Sequence, residues 1–86
     1  MNEVCRVLFF STLRDVVGSD ELAMPLARLS SPVLVGDLIE QLNADYPGLK
    51  SWEAQLLIAV NSEYASRDAV IEPGDEVALM PPVQGG

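Results

Sequence analysis

The sequence predicts an α+β fold in which one amphipathic helix lies across one face of a mixed sheet. Three observations predict it. Residues 35–46 carry apolar side chains at helical spacing. Short apolar runs near both ends of the chain are rich in strand formers. Gly and Pro separate these segments and leave no long linker, repeat or low-complexity stretch.

The elements follow in order. Residues 4–10, Val-Cys-Arg-Val-Leu-Phe-Phe, open the fold as a strand. Ser11 stands where it can cap a short helical turn from Thr12 to Val17, and Gly18 ends that turn. Residues 21–26 form a second strand, and Pro25, with no amide to donate, places it at an edge or ends it early. Residues 27–34 read as irregular, with a turn at Ser30-Ser31-Pro32. In the main helix, Val35, Leu38, Ile39, Leu42 and Tyr46 share one face. Asp37 and Glu40 sit near its positive N-terminal end, and Pro47-Gly48 stops it. Leu34, at the N-cap position, cannot accept an amide hydrogen bond, which forgoes about 1 kcal/mol of capping. Residues 56–61 read as a buried central strand, and Asn61-Ser62 turns the chain into a short strand at Tyr64. A turn at Pro73-Gly74-Asp75 leads into the last strand, Glu76 to Met80. The folded domain thus spans residues 1–80, and residues 81–86 form an extended tail.

Strand alternation assigns faces. Cys5, Val7 and Phe9 share one face of the first strand, with Arg6, Leu8 and Phe10 on the other. If the helix covers the first set, then Leu8, Phe10, Ala78 and Met80 lie on the far face, and Tyr64 can join them. So apolar a face suits docking better than solvent, the alternative being that both faces are covered within the monomer.

Composition narrows the function. The 86 residues make one domain, short enough to bury only about 60–65% of its unfolded surface. No stretch approaches the roughly 18–20 apolar residues of a membrane span, and the acidic Met1-Asn2-Glu3 start lacks the basic character of a secretory signal. A cytoplasmic protein without a membrane partner is expected. Cys5 is the sole cysteine and reads as a small core residue. There is no histidine, and the carboxylates show no metal-ligand spacing. Catalysis by the domain's own side chains and a bound metal are therefore not expected. A net charge of −8 repels nucleic acid; it suits a basic protein partner, and equally serves solubility alone.

The chemistry is expected at the end of the chain, Pro81-Pro82-Val83-Gln84-Gly85-Gly86. Two closing glycines arise by chance in about one chain in 200, so the pair alone is a modest signal. Its context strengthens it. Two prolines forbid continuation of the last strand and favour a stiff extended exit. Six extended residues reach roughly 20 Å, enough to thread a carboxylate into another protein's buried site. Glycines without a Cβ keep that thread narrow. A carboxylate is unreactive toward nucleophiles until activated, as by formation of an acyl-adenylate with ATP. A sulfur nucleophile that displaces AMP leaves a thiocarboxylate, a good sulfur donor.

Residues 7–10 (Val-Leu-Phe-Phe), 35–38 (Val-Gly-Asp-Leu), 58–61 (Ile-Ala-Val-Asn) and the closing block 73–86 resemble the small subunit of molybdopterin synthase. The resemblance covers nearly the whole chain, and Pro-Pro-Val-x-Gly-Gly after Gly-Asp-Glu-Val is its most specific part. It implies a ubiquitin-like β-grasp fold. It implies that an adenylyltransferase resembling ubiquitin-activating enzymes consumes ATP to activate Gly86, so the carrier itself holds no cofactor. It implies a heterotetramer with two large subunits. There the inserted tail, as a Gly86 thiocarboxylate, gives sulfur to cyclic pyranopterin monophosphate, and two transfers build the dithiolene. Phe10, Tyr64 and Met80 match family positions that pack on the large subunit, in agreement with the face derived above. Met80 stands where the family often has an aromatic, Gln84 where it has a smaller hydroxyl residue, and Leu34 where it has a Thr or Ser cap.

Three other functions fit parts of the pattern. A thiamine-thiazole sulfur carrier uses the same terminal chemistry, but such chains are usually shorter and lack the Pro-Pro-Val run. A ubiquitin-like modifier would attach Gly86 to target lysines, while its single Lys50 leaves little room for chains of itself. A plain binding module would do no terminal chemistry and would survive capping of Gly86.

Overall fold

Apolar alternation at both ends of the chain converges on one pair of central strands. The computed structural model describes residues 3–29 and 31–82. Ser30 and the tail residues Val83, Gln84, Gly85 and Gly86 lie outside the described residues. The elements run β1 (Val4–Phe9), α1 (Thr12–Val17), β2 (Glu21–Pro25), a 3₁₀ turn (Leu26–Arg28), β3 (Val33–Leu34), α2 (Val35–Asp45), a 3₁₀ segment (Pro47–Gln55), β4 (Leu57–Val60), β5 (Glu63–Tyr64), β6 (Val70–Ile71) and β7 (Glu76–Met80).

The five-stranded sheet has the order β2-β1-β7-β4-β5, and β3 pairs with β6 in a separate ribbon. β1 and β7 are parallel, with Val7 opposite Val77 and Leu8 opposite Ala78. The other pairings are antiparallel. This is the mixed sheet that the sequence predicts. Pro25 closes the edge strand β2, where its missing amide breaks no ladder bond.

Helix α2 buries Val35, Leu38, Ile39 and Leu42. They pack in one core with Cys5, Val7 and Phe9 of β1, Ile58 of β4, and Val77 and Leu79 of β7. Burial pushes the Cys5 thiol above its ordinary range, so it stays protonated as a small apolar side chain. Gly18 and Gly74 adopt φ of 85° and 86°, a left-handed backbone that only glycine enters without strain. Asn61 and Ser62 both have positive φ, 51° and 72°, as a two-residue hairpin of the right twist requires. The Asn61 side chain donates to Asp75 Oδ1 and accepts from the Glu76 amide, tying this turn to the start of β7.

Five local expectations change. β1 ends at Phe9, so Phe10 lies just beyond the strand. Ser11 makes no side-chain cap, because its backbone (φ 54°, ψ −132°) is not the extended form that aims a hydroxyl at the helix amides. The Leu13 and Arg14 amides donate to the Phe10 and Ser11 carbonyls instead. The stretch expected to be irregular contains a 3₁₀ turn and β3. The chain beyond the Pro47-Gly48 stop continues as a 3₁₀ segment. The missing cap at Leu34 is offset by two tertiary bonds, from the Val35 and Gly36 amides to the Ala69 and Arg67 carbonyls, while a local bond runs from the Leu34 amide to Asp37 Oδ2. Among the described residues, no helix is long and apolar enough to cross a membrane.

Candidate functional site

The sheet has α2 on one face and offers the other outward. Because directly paired residues point to the same side, the registers define a row across the outer face: Leu8 on β1, Ala78 on β7, Ala59 on β4 and Tyr64 on β5. The next pair along is Met80 with Leu57. Leu8, Leu57, Ala78 and Met80 are half-buried, while Tyr64 is 79% exposed. Ala59 is buried but stands apart from the core cluster, as its place on the outer face requires. Phe10 is 46% exposed and adjoins this surface at its upper end. Its amide donates to the Leu79 carbonyl, carrying the β1–β7 pairing one residue past the strand.

The lower end of the same face is charged. Arg6 lies between Glu21 and Glu76, at 3.4 and 3.7 Å. These side chains are largely solvated, so the pairs add little stability. They do bound the apolar area, making it a patch with a polar rim rather than a uniformly greasy sheet.

The chain leaves this site from the centre of the sheet. β7 is paired on both sides, by β1 as far as the Phe9–Leu79 pair and by β4 as far as the Leu57–Met80 pair. Pro81 and Pro82 then have no amide with which to extend the ladder, and both are half-buried without regular structure. They line a groove of about 430 Å³ together with Phe10, Ser11, Thr12, Trp52 and Met80. The tail is therefore launched beside the outer patch, from a strand held on two edges.

The structure thus brings together Leu8, Tyr64 and Met80 as the sequence predicts, with Phe10 beside them. It puts Pro81 and Pro82 at the exit. Val83, Gln84, Gly85 and the candidate reactive residue Gly86 fall outside the described residues. Sequence reasoning passed over Leu57 and Ala59, which alternation along β4 would have placed once its pairing with β7 was known. It also passed over Trp52, whose 3₁₀ setting carries no periodic signal. Among the described residues, no group of three or more His, Cys, Asp or Glu side chains is arranged to hold a metal.

Comparison with known proteins adds identity to this geometry. The molybdopterin synthase sulfur carrier subunit of Dictyostelium discoideum is 36% identical over the full length of both chains. A Pyrococcus furiosus structure, provisionally named molybdopterin converting factor subunit 1, superposes with a TM-score of 0.82 at 30% identity, covering 94% of this chain and 99% of that one. SAMP1 of Haloferax volcanii, a small archaeal modifier protein, superposes with a TM-score of 0.83 at 27% identity, covering 96% and 99%. The fold is a ubiquitin-like β-grasp. The model of the ThiS family matches residues 7–86, and with the near-complete match to its relatives this chain belongs to that family, on the side of the molybdopterin synthase sulfur carrier subunits.

Proposed function

We propose that this chain is the sulfur carrier subunit of a molybdopterin synthase and works through the carboxylate of Gly86. The observation that carries the reading is the setting of the tail root: a doubly paired central strand ends in Pro81-Pro82 beside an exposed apolar patch. A docked partner would hold the patch while the tail enters its active site. The match to the Dictyostelium relative over the full length of both chains supports the same reading.

In this mechanism, an activating enzyme joins the Gly86 carboxylate to AMP from ATP and releases pyrophosphate. A hydrosulfide-equivalent nucleophile then displaces AMP and leaves the thiocarboxylate. The large subunit takes up the tail, and the thiocarboxylate sulfur attacks a side-chain carbon of cyclic pyranopterin monophosphate, forming a C–S bond as the C–O bond at that carbon breaks and its oxygen leaves. Water hydrolyses the resulting acyl link, so the sulfur stays on the pterin and the Gly86 carboxylate is regenerated. The domain itself supplies reach and docking; the catalytic groups and the ATP site belong to its partners.

The test is direct. Protein carrying a thiocarboxylate at Gly86, mixed with the large subunit and cyclic pyranopterin monophosphate, is expected to form the dithiolene product, and the plain carboxylate is not. Absence of product from the thiocarboxylate form would overturn the reading. Attachment of Gly86 to lysines after incubation with an activating enzyme would favour the modifier function suggested by the likeness to SAMP1.

The docking face has its own prediction. Phe10→Arg places a charge where an apolar contact forms, and affinity for the large subunit is expected to fall at least about tenfold, or ~1.4 kcal/mol. Because Phe10 is 46% exposed, the melting temperature should hardly move. Titration calorimetry checks the first and thermal unfolding the second; unchanged affinity would show that the partner docks elsewhere.

A further inference from the structure

Trp52 is the chain's single tryptophan, and nothing in the proposed chemistry uses it. It lies on the 3₁₀ segment after α2, half-buried, with part of its ring system against the core. It also lines the groove at the root of the tail with Phe10, Met80, Pro81 and Pro82. Three distant parts of the chain meet there: the 3₁₀ segment, the β1–α1 corner and the end of β7.

The segment carrying Trp52 is held firmly at the next residue. Arg67 Nη2 donates to the Glu53 carbonyl at 2.6 Å, and Arg67 Nη1 lies 3.6 Å from the Glu53 carboxylate. Asn43 of α2 donates to the same carboxylate at 2.6 Å. Arg67 also accepts the Gly36 amide at its carbonyl, so these contacts reach both ends of α2 and the loop before β6. Such cross-bracing supports a 3₁₀ segment, whose intrinsic hydrogen bonding is poor. Its geometric result is an aromatic side chain, on a braced segment, that shares one groove with two prolines at the point where the tail leaves the fold.

We propose that Trp52 is a positioning residue for the tail: together with Phe10 it holds Pro81-Pro82 against the globule and so sets the direction in which Gly86 is offered. This rests on the carrier reading above. A stiff proline pair transmits its orientation to the residues beyond it, whereas the same root without a wall would swing. Aiming matters because a reacting group displaced by about 1 Å can lose some 10²-fold in rate.

The test has two arms on the full chain. In the first, tryptophan emission is recorded for the parent and for the double variant Pro81→Gly, Pro82→Gly. Loss of the proline wall should expose Trp52 and shift its emission to the red. In the second, the Gly86 thiocarboxylate forms of Trp52→Ala and Trp52→Phe are compared with the parent in single-turnover sulfur transfer to the large subunit's substrate. Trp52→Ala is expected to slow transfer about tenfold at saturating partner, with affinity for the large subunit within about twofold, and Trp52→Phe is expected to restore most of the rate. An unchanged emission spectrum overturns the proposal. So does an unchanged saturated rate, and so does a Trp52→Ala defect confined to affinity, which would make Trp52 a docking residue. If the parent itself transfers no sulfur, the carrier reading fails, and the emission arm, independent of any partner, still decides whether Trp52 holds the tail root.

Discussion

Deleting Gly86 is expected to abolish sulfur transfer while leaving the fold intact. The shortened chain still ends in a carboxylate, now on Gly85, so the loss would come from position rather than from chemistry. One extended residue withdraws the reactive carbon by roughly 3.3–3.6 Å. Misplacements of about 1 Å already cost some 10²-fold, so the rate should drop by more than that and below detection in a standard assay. Stability should be unaffected, because the core cluster closes at Leu79 and the last ladder pair is Met80 with Leu57. Single-turnover product formation measures the first quantity, and thermal unfolding measures the second. Normal transfer by the shortened protein would mean that Gly86 is not the sulfur-bearing residue, and the carrier mechanism would have to be abandoned. A large drop in melting temperature would mean instead that the closing residues belong to the folded unit.

Much of this architecture was legible because the side-chain periods are strong where the core is strong. Val35, Leu38, Ile39 and Leu42 repeat at helical spacing, and all four are buried. Cys5, Val7 and Phe9 alternate with Arg6 and Leu8, and the burial follows that alternation. What escaped was structure without a period of its own. β3 and β6 are two residues each, too short to alternate, and exist because each supplies the other's ladder bonds. The Pro47–Gln55 segment winds at three residues per turn with one buried side chain, Leu49, so no apolar stripe marks it. The Leu34 cap shows a different limit. A local rule found the deficit, but the carbonyls that offset it come from Arg67 and Ala69, more than thirty residues away. The outer patch was readable in half. Leu8 and Met80 follow from alternation within their strands, whereas Ala59 and Leu57 needed the β4–β7 register. Trp52 needed the tertiary fold altogether.

The separation of core face from docking face leads to the largest stability effect expected for a single change. Leu42 is fully buried on α2, the one long helix packed against the sheet. Leu42→Ala keeps the helix backbone content, since Ala is the best helix former, and therefore isolates the packing loss. Truncating a buried Leu costs about 2–5 kcal/mol through lost transfer energy and the cavity left behind. At roughly 0.05–0.15 kcal/mol per residue, a chain of this length has about 4–13 kcal/mol in total, so the change removes a large share. In a domain of this size each kcal/mol moves the melting temperature by about 4–8 °C, and a drop of at least ~8 °C is expected. Phe10→Ala is the matched control. It also removes apolar bulk, but from a half-exposed site beyond β1, and should move the melting temperature by no more than a few degrees. The two variants should exchange roles in binding. Leu42→Ala, measured below its transition, retains the outer face and should bind the large subunit with near-parental affinity. Phe10→Ala, folded and stable, should bind more weakly. Equal melting temperatures for the two would mean that α2 is not what closes the core. Weaker binding by Leu42→Ala alone would mean that the partner engages the helical face, and the outer sheet surface would lose its assignment as the docking site.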